Sequence, residues 1–306
     1  MNVSVVMATY NGEKYLIPQL NSIRDQSRKP DEVIICDDCS TDLTCKLISL
    51  YIKENQLDNW RLETNEKNVG WRQNFRNLLE SASGDVIFFS DQDDTWDLNK
   101  IEKMSSIMER DEKIQLLACN YDFVYEKPGD KLSTPRAYYR PYGNERLTKV
   151  KLDKWWLNSI RSGATLSLKR GLVIDFLACW DKELPHDGLI ESIANAKGAF
   201  YILNETLVIH RWHGDNNTPQ YKHTKEQRLK MLNVTKNMGE SVMANCGAQD
   251  RATLTTMKKL CDFEDRRVKF ISNKKIRDIL YLVLHCNHYI AIRSLFGDLM
   301  IAFREK

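Results

Sequence analysis

The 306-residue sequence lacks the features of several large protein classes. It contains only 7 prolines and 13 glycines, and no period of about 20 to 50 residues repeats along it, which excludes collagens, solenoids and low-complexity linkers. The longest apolar run of its C-terminal part, Ile279–Leu284, is far shorter than the ~20 residues that span a bilayer. No basic segment precedes the first apolar residues, so we expect neither a signal peptide nor a membrane anchor.

Cysteine spacing indicates neither a disulfide framework nor a zinc site. The eight cysteines are scattered, and several lie in apolar runs, where a free thiol behaves as a small hydrophobic group. Cys36 and Cys39 form one CxxC, but no second pair stands at the spacing of a zinc ribbon. We therefore expect free thiols and a cytoplasmic protein.

Charge is divided unevenly along the chain. Residues 219–306 carry 17 Lys and Arg against 9 Asp and Glu, whereas acidic residues are in excess over residues 1–218. Because an acidic body repels phosphate, we do not expect a nucleic-acid partner. The basic tail is compatible with an amphipathic surface for anionic lipid, a solvated helical face or an oligomer contact.

Strand and helix patterns alternate over residues 1–115. Four strands are predicted at Val3–Ala8, Glu32–Asp37, Arg61–Thr64 and Val86–Ser90, of which Arg61–Thr64 is a short one. Helical periodicity follows the first, second and third of them. This alternation predicts an α/β fold with a mostly parallel, Rossmann-like sheet flanked by helices.

The pattern loosens after a further strand predicted at 114–125. A Pro-, Gly- and Tyr-rich loop is expected at 127–144, then a strand at 164–168 and a helix near 172–180. From about Tyr221 the sequence is helical and charged. We therefore predict three parts: a ligand-binding half at 1–115, a substrate-side half at 116–218 and a helical, basic C-terminal region at 219–306.

Polar loops follow the predicted strands, where ligands bind in sheets of this kind. They are Thr9–Gly12, Asp37–Ser40, Asn68–Gly70 and Asp91–Asp94. The first loop has one glycine, so it lacks the GxGxxG of a dinucleotide-binding oxidoreductase.

The loop after the fourth strand places three carboxylates, Asp91, Asp93 and Asp94, within four positions. Like charges at a strand end cost stability unless a cation neutralises them, and oxygen ligands favour Mg²⁺ or Mn²⁺. One alternative is a set of acidic residues before a helix that begins near Asn99. An EF-hand loop is disfavoured, because Trp96 stands where its sharp turn requires glycine.

Six motifs together resemble the family 2 glycosyltransferases of GT-A fold. They are VVMATYNGEKYL, DEVIICDDCSTD, NVG at 68–70, SDQDDTW, PHDG at 185–188 and RWHGDNNT at 211–218. SDQDDxW with a late RxHxxN is similar to bacterial enzymes that build O-antigens and other surface polysaccharides.

The resemblance implies a reaction and its partners. It implies an inverting transfer of a hexose from a nucleoside diphosphate sugar. UDP-glucose or UDP-galactose is the first expected donor, and dTDP-rhamnose is the second. The expected acceptor is a glycan linked to undecaprenyl diphosphate, reached by a protein peripheral to the cytoplasmic face of the inner membrane. The sequence leaves open a non-catalytic module that binds glycan or nucleic acid.

The resemblance also implies which residues bind the donor. The expected nucleotide-sugar contacts are Thr9, Tyr10, Asn11, Asp38, Asn68, Gly70, Arg72, Asp91 and Arg211. Asp93 and His213 are the expected metal ligands, with Asp94 as a supporting acceptor. An ordinary Asn-Gly turn at Asn11, or a solvated arginine at Arg72, is the alternative.

We expect the residues that bind and activate the acceptor to lie in the second half of the chain. Displacement at an anomeric carbon needs a base that takes the proton of the acceptor hydroxyl, and Asp187 in PHDG is the candidate. The alternative is an N-capping aspartate at a helix start. His186 is a possible orienting neighbour. Trp155 and Trp156 suit either stacking on an acceptor sugar or buried packing.

Overall fold

The computed structural model describes residues 1–126, 146–158, 160–214 and 224–303. The loop predicted at 127–144 and residues 215–218 of the last motif lie outside the described residues. Nine strands are described: β1 (Val3–Thr9), β2 (Glu32–Asp37), β3 (Trp60–Thr64), β4 (Val86–Ser90), β5 (Thr95–Trp96), β6 (Leu116–Tyr125), β7 (Leu147–Lys149), β8 (Leu166–Lys169) and β9 (Phe200–Trp212).

Ten α-helices accompany these strands in the described part of the chain. They are α1 (Leu16–Arg24), α2 (Thr44–Glu54), α3 (Trp71–Ser81), α4 (Lys100–Arg110), α5 (Arg170–Cys179), α6 (His186–Ala196), α7 (Lys225–Asn245), α8 (Arg251–Asn273), α9 (Ile276–Leu284) and α10 (Arg293–Phe303). The predicted α/β class, with a helical C-terminal part, is confirmed.

The strands form one mixed sheet in the order β3-β2-β1-β4-β8-β6-β9-β5, with β7 also paired to β9. Strands β3, β2, β1 and β4 are mutually parallel, so Thr9 of β1 pairs with Asp37 of β2, and Met7 pairs with Ser90 of β4. The carboxyl ends of these strands, and the polar loops that follow them, therefore meet at one edge of the sheet.

Strand β8 runs antiparallel between β4 and β6, and β9 runs parallel to β6. The start of β8 and the end of β9 therefore lie at the same edge as the end of β4. A 3₁₀ turn, Gly163–Thr165, leads into β8 there. The two-residue strand β5 pairs antiparallel with β9. This pairing makes residues 95 and 96 part of the sheet, so an EF-hand loop is excluded.

Alternate residues of β1 supply two hydrophobic cores, one on each face of the sheet. Val5 packs with α1, α2 and α4, whereas Val6 packs with α3, α5 and α6. This alternation follows from the period of two in a strand. All eight cysteines are free thiols.

The C-terminal helices continue one of these cores before forming their own. Met238 of α7 and Met257 of α8 belong to the cluster that contains α5 and α6. The outer cluster joins α8, α9 and α10 through Phe270, Leu282 and Leu295. Within the residues that the structure describes, no helix is both long and apolar enough to cross a bilayer.

Candidate active site

The loops after β1 and β2 are hydrogen-bonded into one unit. The Thr9 hydroxyl donates to Asp37 Oδ1 at 2.8 Å, and the Asn11 amide donates to Ser40 Oγ at 2.8 Å. Asn11 Oδ1 accepts from the Thr41 amide at 2.9 Å, with the Asn11 backbone in the left-handed region at φ 47°. The side chains of Thr9 and Asn11 therefore stabilise the loops themselves, and the side chain of Tyr10 is 47% exposed.

Gln92 connects the β1 loop to the acidic loop. Its Oε1 accepts from the Tyr10 amide at 2.9 Å, and its Nε2 donates to the Tyr10 carbonyl at 3.1 Å. A Cβ at Gly12 would lie 2.2 Å from Gln92 Oε1, so the glycine permits this close approach. Sequence reasoning missed Gln92, although it lies inside the SDQDDTW motif.

Asp38 holds the loop of residues 68–70. It is 3% exposed, and its two oxygens accept from the amides of Val69 and Gly70, both at 2.8 Å, while Oδ1 also accepts from Asn65 at 2.9 Å. Gly70 has φ 83°, which favours glycine. Asp38 thus shapes this loop through backbone contacts, a function that its sequence motif did not reveal.

Beyond that loop lies an open pocket of about 580 Å³. Asn68, Gly70, Trp71 and Arg72 are among its lining residues. The guanidinium of Arg72 lies 4.2 Å from the ring centroid of Trp71. The structure therefore groups three of the predicted nucleotide contacts, Asn68, Gly70 and Arg72, around one cavity.

The acidic loop meets two histidines from the end of β9. His213 Nε2 lies 2.9 Å from Asp93 Oδ2, and His210 Nδ1 lies 2.7 Å from Asp94 Oδ2. The amide of Arg211 donates to Asp94 Oδ1 at 3.2 Å. Asp94 is 2% exposed, so it anchors β9 beside the loop. His210 lies within β9, in an apolar strand pattern that does not indicate a role in the site.

Burial and mutual repulsion perturb these carboxylates. Burial, followed by the charges of Asp94 and Asp93, raises the pKa of Asp91. Burial and the charge of Asp94 likewise raise the pKa of Asp93, against the effect of His213. Burial acts to lower the pKa of His210, but the charges of Asp94, Asp91 and Asp93 outweigh it and raise that pKa. Burial and the mutual repulsion of these carboxylates therefore both disfavour their ionised forms.

A buried lysine lies beneath this loop. Lys100, at the start of α4, is 0% exposed, and its ammonium donates to the Ala164 carbonyl at 2.6 Å. The same ammonium lies 3.5 Å from the ring centroid of Trp96, and burial lowers the pKa of Lys100 to about 8. Lys100 thus ties α4 to the 3₁₀ turn before β8. Its position in a charged helical pattern gave no sign of this.

Asp187 lies in the first turn of α6, at the same edge as the acidic loop. The residue before the helix is Pro185, and among the described residues Asp187 Oδ1 accepts from the neighbouring Gly188 amide, at 2.7 Å. The N-capping alternative is therefore wrong. A Cβ at Gly163 would lie 3.8 Å from Asp187 Cβ, and the charge of Asp187 contributes to the raised pKa of Asp91. The fold brings together two carboxylates that are 96 positions apart in the sequence.

His186 is enclosed by aromatic rings. It stacks on Phe75 at 4.2 Å between centroids, and the rings of Trp71 and Phe89 each lie at 5.4 Å. Neither ring nitrogen has a hydrogen-bond partner among the described residues, and burial lowers the pKa of His186 to about 4. A neutral imidazole therefore supports the start of α6 by packing.

Replacing His186 with phenylalanine is expected to weaken the pH dependence of folding. The unfolded chain protonates this histidine near pH 6.5, whereas the folded chain does so only near pH 4, so its contribution to stability is complete above pH 6.5 and falls as the pH drops towards 4. Urea unfolding at pH 7 and pH 4.5 measures this. The native protein should lose about 2 kcal/mol more than His186→Phe over that interval. An identical loss in both proteins would contradict the assignment.

The predicted acceptor platform is only partly available. Trp156 is 2% exposed, and its indole nitrogen donates to the Ser192 carbonyl at 2.8 Å, so its ring is covered by protein and the stacking hypothesis is wrong for this residue. Trp155 is half-buried against the same core. Glu191, one turn after Asp187, accepts from the amides of Ile160 and Arg161 at 2.6 and 2.9 Å and so fixes this segment near the site.

Asp93 and His213 together suit a divalent cation that keeps coordination positions open for other ligands. No group of three His, Cys, Asp or Glu side chains forms a ready-made metal shell in the described ranges. Asp93 and His213 nevertheless approach within 2.9 Å beside a loop whose carboxylates repel one another. Carboxylate and imidazole ligands, completed by substrate phosphate and water, fit Mn²⁺ or Mg²⁺.

Comparisons with known proteins identify a family for most of the first half of the chain. The model of Glycosyl transferase family 2 matches residues 4–172. The poly(ribitol-phosphate) beta-N-acetylglucosaminyltransferase TarS of Staphylococcus aureus is 38% identical over 96 residues, which are 31% of this chain and 16% of TarS. The UDP-Glc:alpha-D-GlcNAc-diphosphoundecaprenol beta-1,3-glucosyltransferase WfgD of Escherichia coli is 32% identical over 122 residues, 40% of this chain and 46% of WfgD. Each match spans less than half of the relative.

Solved structures share the fold at low sequence identity. S. aureus TarS 1–349 in complex with UDP-GlcNAc superposes with a TM-score of 0.66 at 18% identity, covering 99% of this chain and 88% of that one. The mannosyltransferase PcManGT of Pyrobaculum calidifontis, in complex with GDP-Man and Mn²⁺, superposes with a TM-score of 0.57 at 14% sequence identity. That match covers 98% of this chain and 85% of PcManGT.

Proposed function

Because the chain belongs to glycosyl transferase family 2, we propose that it moves a hexose from UDP-glucose or UDP-galactose to a hydroxyl group of a lipid-linked glycan, with inversion at the anomeric carbon. The observation that carries this proposal is the convergence of the acidic loop, His213 and Asp187 at one edge of the sheet. A dTDP-rhamnose donor is the second candidate.

The nucleotide is proposed to bind across the loops after β1, β2 and β3. Tyr10 is exposed there, and Asp38 fixes the loop of residues 68–70 at the mouth of the 580 Å³ pocket. Asp91 is the proposed ribose contact, because it directly follows β4, next to these loops and within the influence of the Asp187 charge. Rigid loops of this kind supply binding energy from the part of the donor that does not react.

The diphosphate is proposed to lie against Asp93, His213 and Arg211. Asp93 and His213 would hold a Mn²⁺ or Mg²⁺ ion, which acts as a Lewis acid on the leaving diphosphate. Arg211 lies on the same strand end, with its guanidinium 5.5 Å from the ring of Tyr15, which itself stacks on His213 at 4.2 Å. A guanidinium there offsets phosphate charge that the acidic loop would otherwise repel.

Asp187 is proposed as the general base. Its carboxylate takes the proton of the acceptor hydroxyl as that oxygen bonds to the anomeric carbon, while the bond from this carbon to the diphosphate oxygen breaks. Inversion follows, because the hydroxyl attacks the face opposite the leaving group. The first turn of α6 holds Asp187 in place through the aromatic enclosure of His186 and the contacts of Glu191.

A lipid-linked acceptor is supported by the similarity to WfgD, a UDP-Glc:alpha-D-GlcNAc-diphosphoundecaprenol beta-1,3-glucosyltransferase. We accordingly propose a role in bacterial surface-polysaccharide synthesis at the cytoplasmic face of the membrane. No nucleic acid is required for this reaction.

A donor panel tests the proposal. The protein is incubated with Mn²⁺, a synthetic undecaprenyl-diphosphate-linked GlcNAc, and UDP-glucose, UDP-galactose or dTDP-rhamnose in turn. We expect transfer from a UDP-hexose, with a product of inverted anomeric configuration by NMR. Transfer from dTDP-rhamnose alone would select the second candidate, and a product of retained configuration would refute the role of Asp187.

A further inference from the structure

Helices α9 and α10 expose an unusual number of large apolar side chains. We call this set the C-terminal apolar face; each member is 50% to 79% exposed. Its members are Ile276, Leu280, Val283 and Leu284 of α9, with Ile292, Phe296, Met300 and Phe303 in or beside α10. The spacing of three or four residues along each helix places them on one stripe per helix.

The opposite sides of both helices are packed into the protein. Leu282 of α9 and Leu295 of α10 are buried in the outer core with Phe270 of α8. The ammonium of Lys274 lies 5.5 Å from the ring centroid of Phe303, so the end of α10 lies against the start of α9. The two stripes are therefore fixed features of the folded surface, since each helix is held by its buried side.

Every exposed charge of residues 274–303 is positive. The only two acids of this segment, Asp278 and Asp298, are 1% and 0% exposed. Asp278 accepts from Arg266 at 2.8 Å, and Asp298 accepts from Arg228 and Arg267 at 2.8 Å. The charged side chains that remain at the surface are Lys274, Lys275, Arg277 and Arg293.

We propose that the C-terminal apolar face binds an anionic phospholipid membrane. Apolar side chains that enter the boundary between headgroups and acyl chains, flanked by cations that meet anionic headgroups, form the pattern of an interfacial protein. Two copies of the face would bring lysine and arginine against lysine and arginine, so charge complementarity favours lipid over a second copy of the chain. This surface deepens the proposed function, on which its biological meaning rests, because it would bring the enzyme to a lipid-linked acceptor.

Vesicle co-sedimentation tests the proposal without any sugar transfer. The full chain should sediment with vesicles of phosphatidylcholine and phosphatidylglycerol at 7:3, and at least tenfold less with phosphatidylcholine alone. Leu284→Ser combined with Met300→Ser should reduce binding to the anionic vesicles at least tenfold, because both side chains are more than 70% exposed and lose apolar insertion. Ile174→Ser on α5, where Ile174 is 72% exposed, is the matched control and should bind as the native protein does.

A charge variant tests whether the exposed cations contribute to binding of anionic lipid. Lys275→Gln with Arg293→Gln should weaken binding by about fivefold for each cation removed, and Lys46→Gln with Lys53→Gln on α2 is its control. Absence of sedimentation with anionic vesicles, or equal binding by the Leu284/Met300 variant, would overturn the proposal. A different result would assign the face to a second copy of the chain: the native chain dimerises and does not bind vesicles, and the Leu284/Met300 variant is monomeric. Donor binding by the same preparations reports on the proposed function separately.

Discussion

Asp93→Asn is expected to lower the rate of sugar transfer about 10³-fold, because it removes the carboxylate proposed to hold the cation on the leaving diphosphate. The substitution keeps the size of the side chain and an oxygen that can meet His213 Nε2, which now lies 2.9 Å from Asp93 Oδ2. It also removes one of the charges that raise the pKa of Asp91. The folded protein without metal should therefore be at least as stable as the native one.

Release of UDP from a UDP-hexose, measured in the presence of Mn²⁺, gives the rate, and thermal unfolding without metal gives the stability. Asp97→Asn is the matched control, because Asp97 is exposed four positions further on and its side chain accepts from the nearby Asn99 amide. Full activity of Asp93→Asn would refute the metal assignment. Reduced activity together with a clearly lower melting temperature would show instead that Asp93 stabilises the fold.

Asp187→Asn is expected to lower kcat by about 10² to 10⁴-fold with little change in the affinity for UDP. Asparagine can still accept from the Gly188 amide, which now bonds Asp187 Oδ1 at 2.7 Å, so the first turn of α6 should persist. It cannot take a proton from the acceptor hydroxyl. The separation of kcat from donor affinity distinguishes a base from a donor-binding residue.

Steady-state transfer kinetics and UDP titration measure the two quantities. Asp181→Asn, an exposed aspartate shortly before α6, is the control and should leave both unchanged. A loss of UDP affinity in Asp187→Asn that matches the loss of kcat would place Asp187 at the donor. Unchanged kcat would move the base elsewhere on the edge of the sheet.

Much of the fold could be predicted from the sequence, because strongly apolar runs leave few alternatives. The prediction for Glu32–Asp37 agrees residue by residue with β2, and Val86–Ser90 agrees with β4. Strand β5 was missed, since Thr95–Trp96 is too short to show a period and exists through its pairing with β9. A pairing between strands that are distant in the sequence cannot be predicted from a short local pattern.

The candidate site could be predicted only in outline. The motifs identified the loops, but the role of each residue within a loop depends on the partners of its side chain. Asp38 is occupied by backbone amides of residues 69 and 70, and Trp156 is buried against α6. Lys100 and His210 contribute charge to the site although neither residue lies within one of the six motifs. These contacts join residues that are distant in the sequence, so only the fold reveals them.

The central claim is that the acidic loop binds a nucleoside diphosphate through a divalent cation at Asp93. Calorimetric titration of UDP, dTDP and GDP into the native protein, with and without Mn²⁺, tests it most directly. We predict that UDP binds with Mn²⁺, that binding weakens at least tenfold without it, and that Asp93→Asn loses the Mn²⁺ dependence while Asp97→Asn keeps it. UDP binding of equal strength with and without Mn²⁺ in the native protein and in Asp93→Asn would contradict the account.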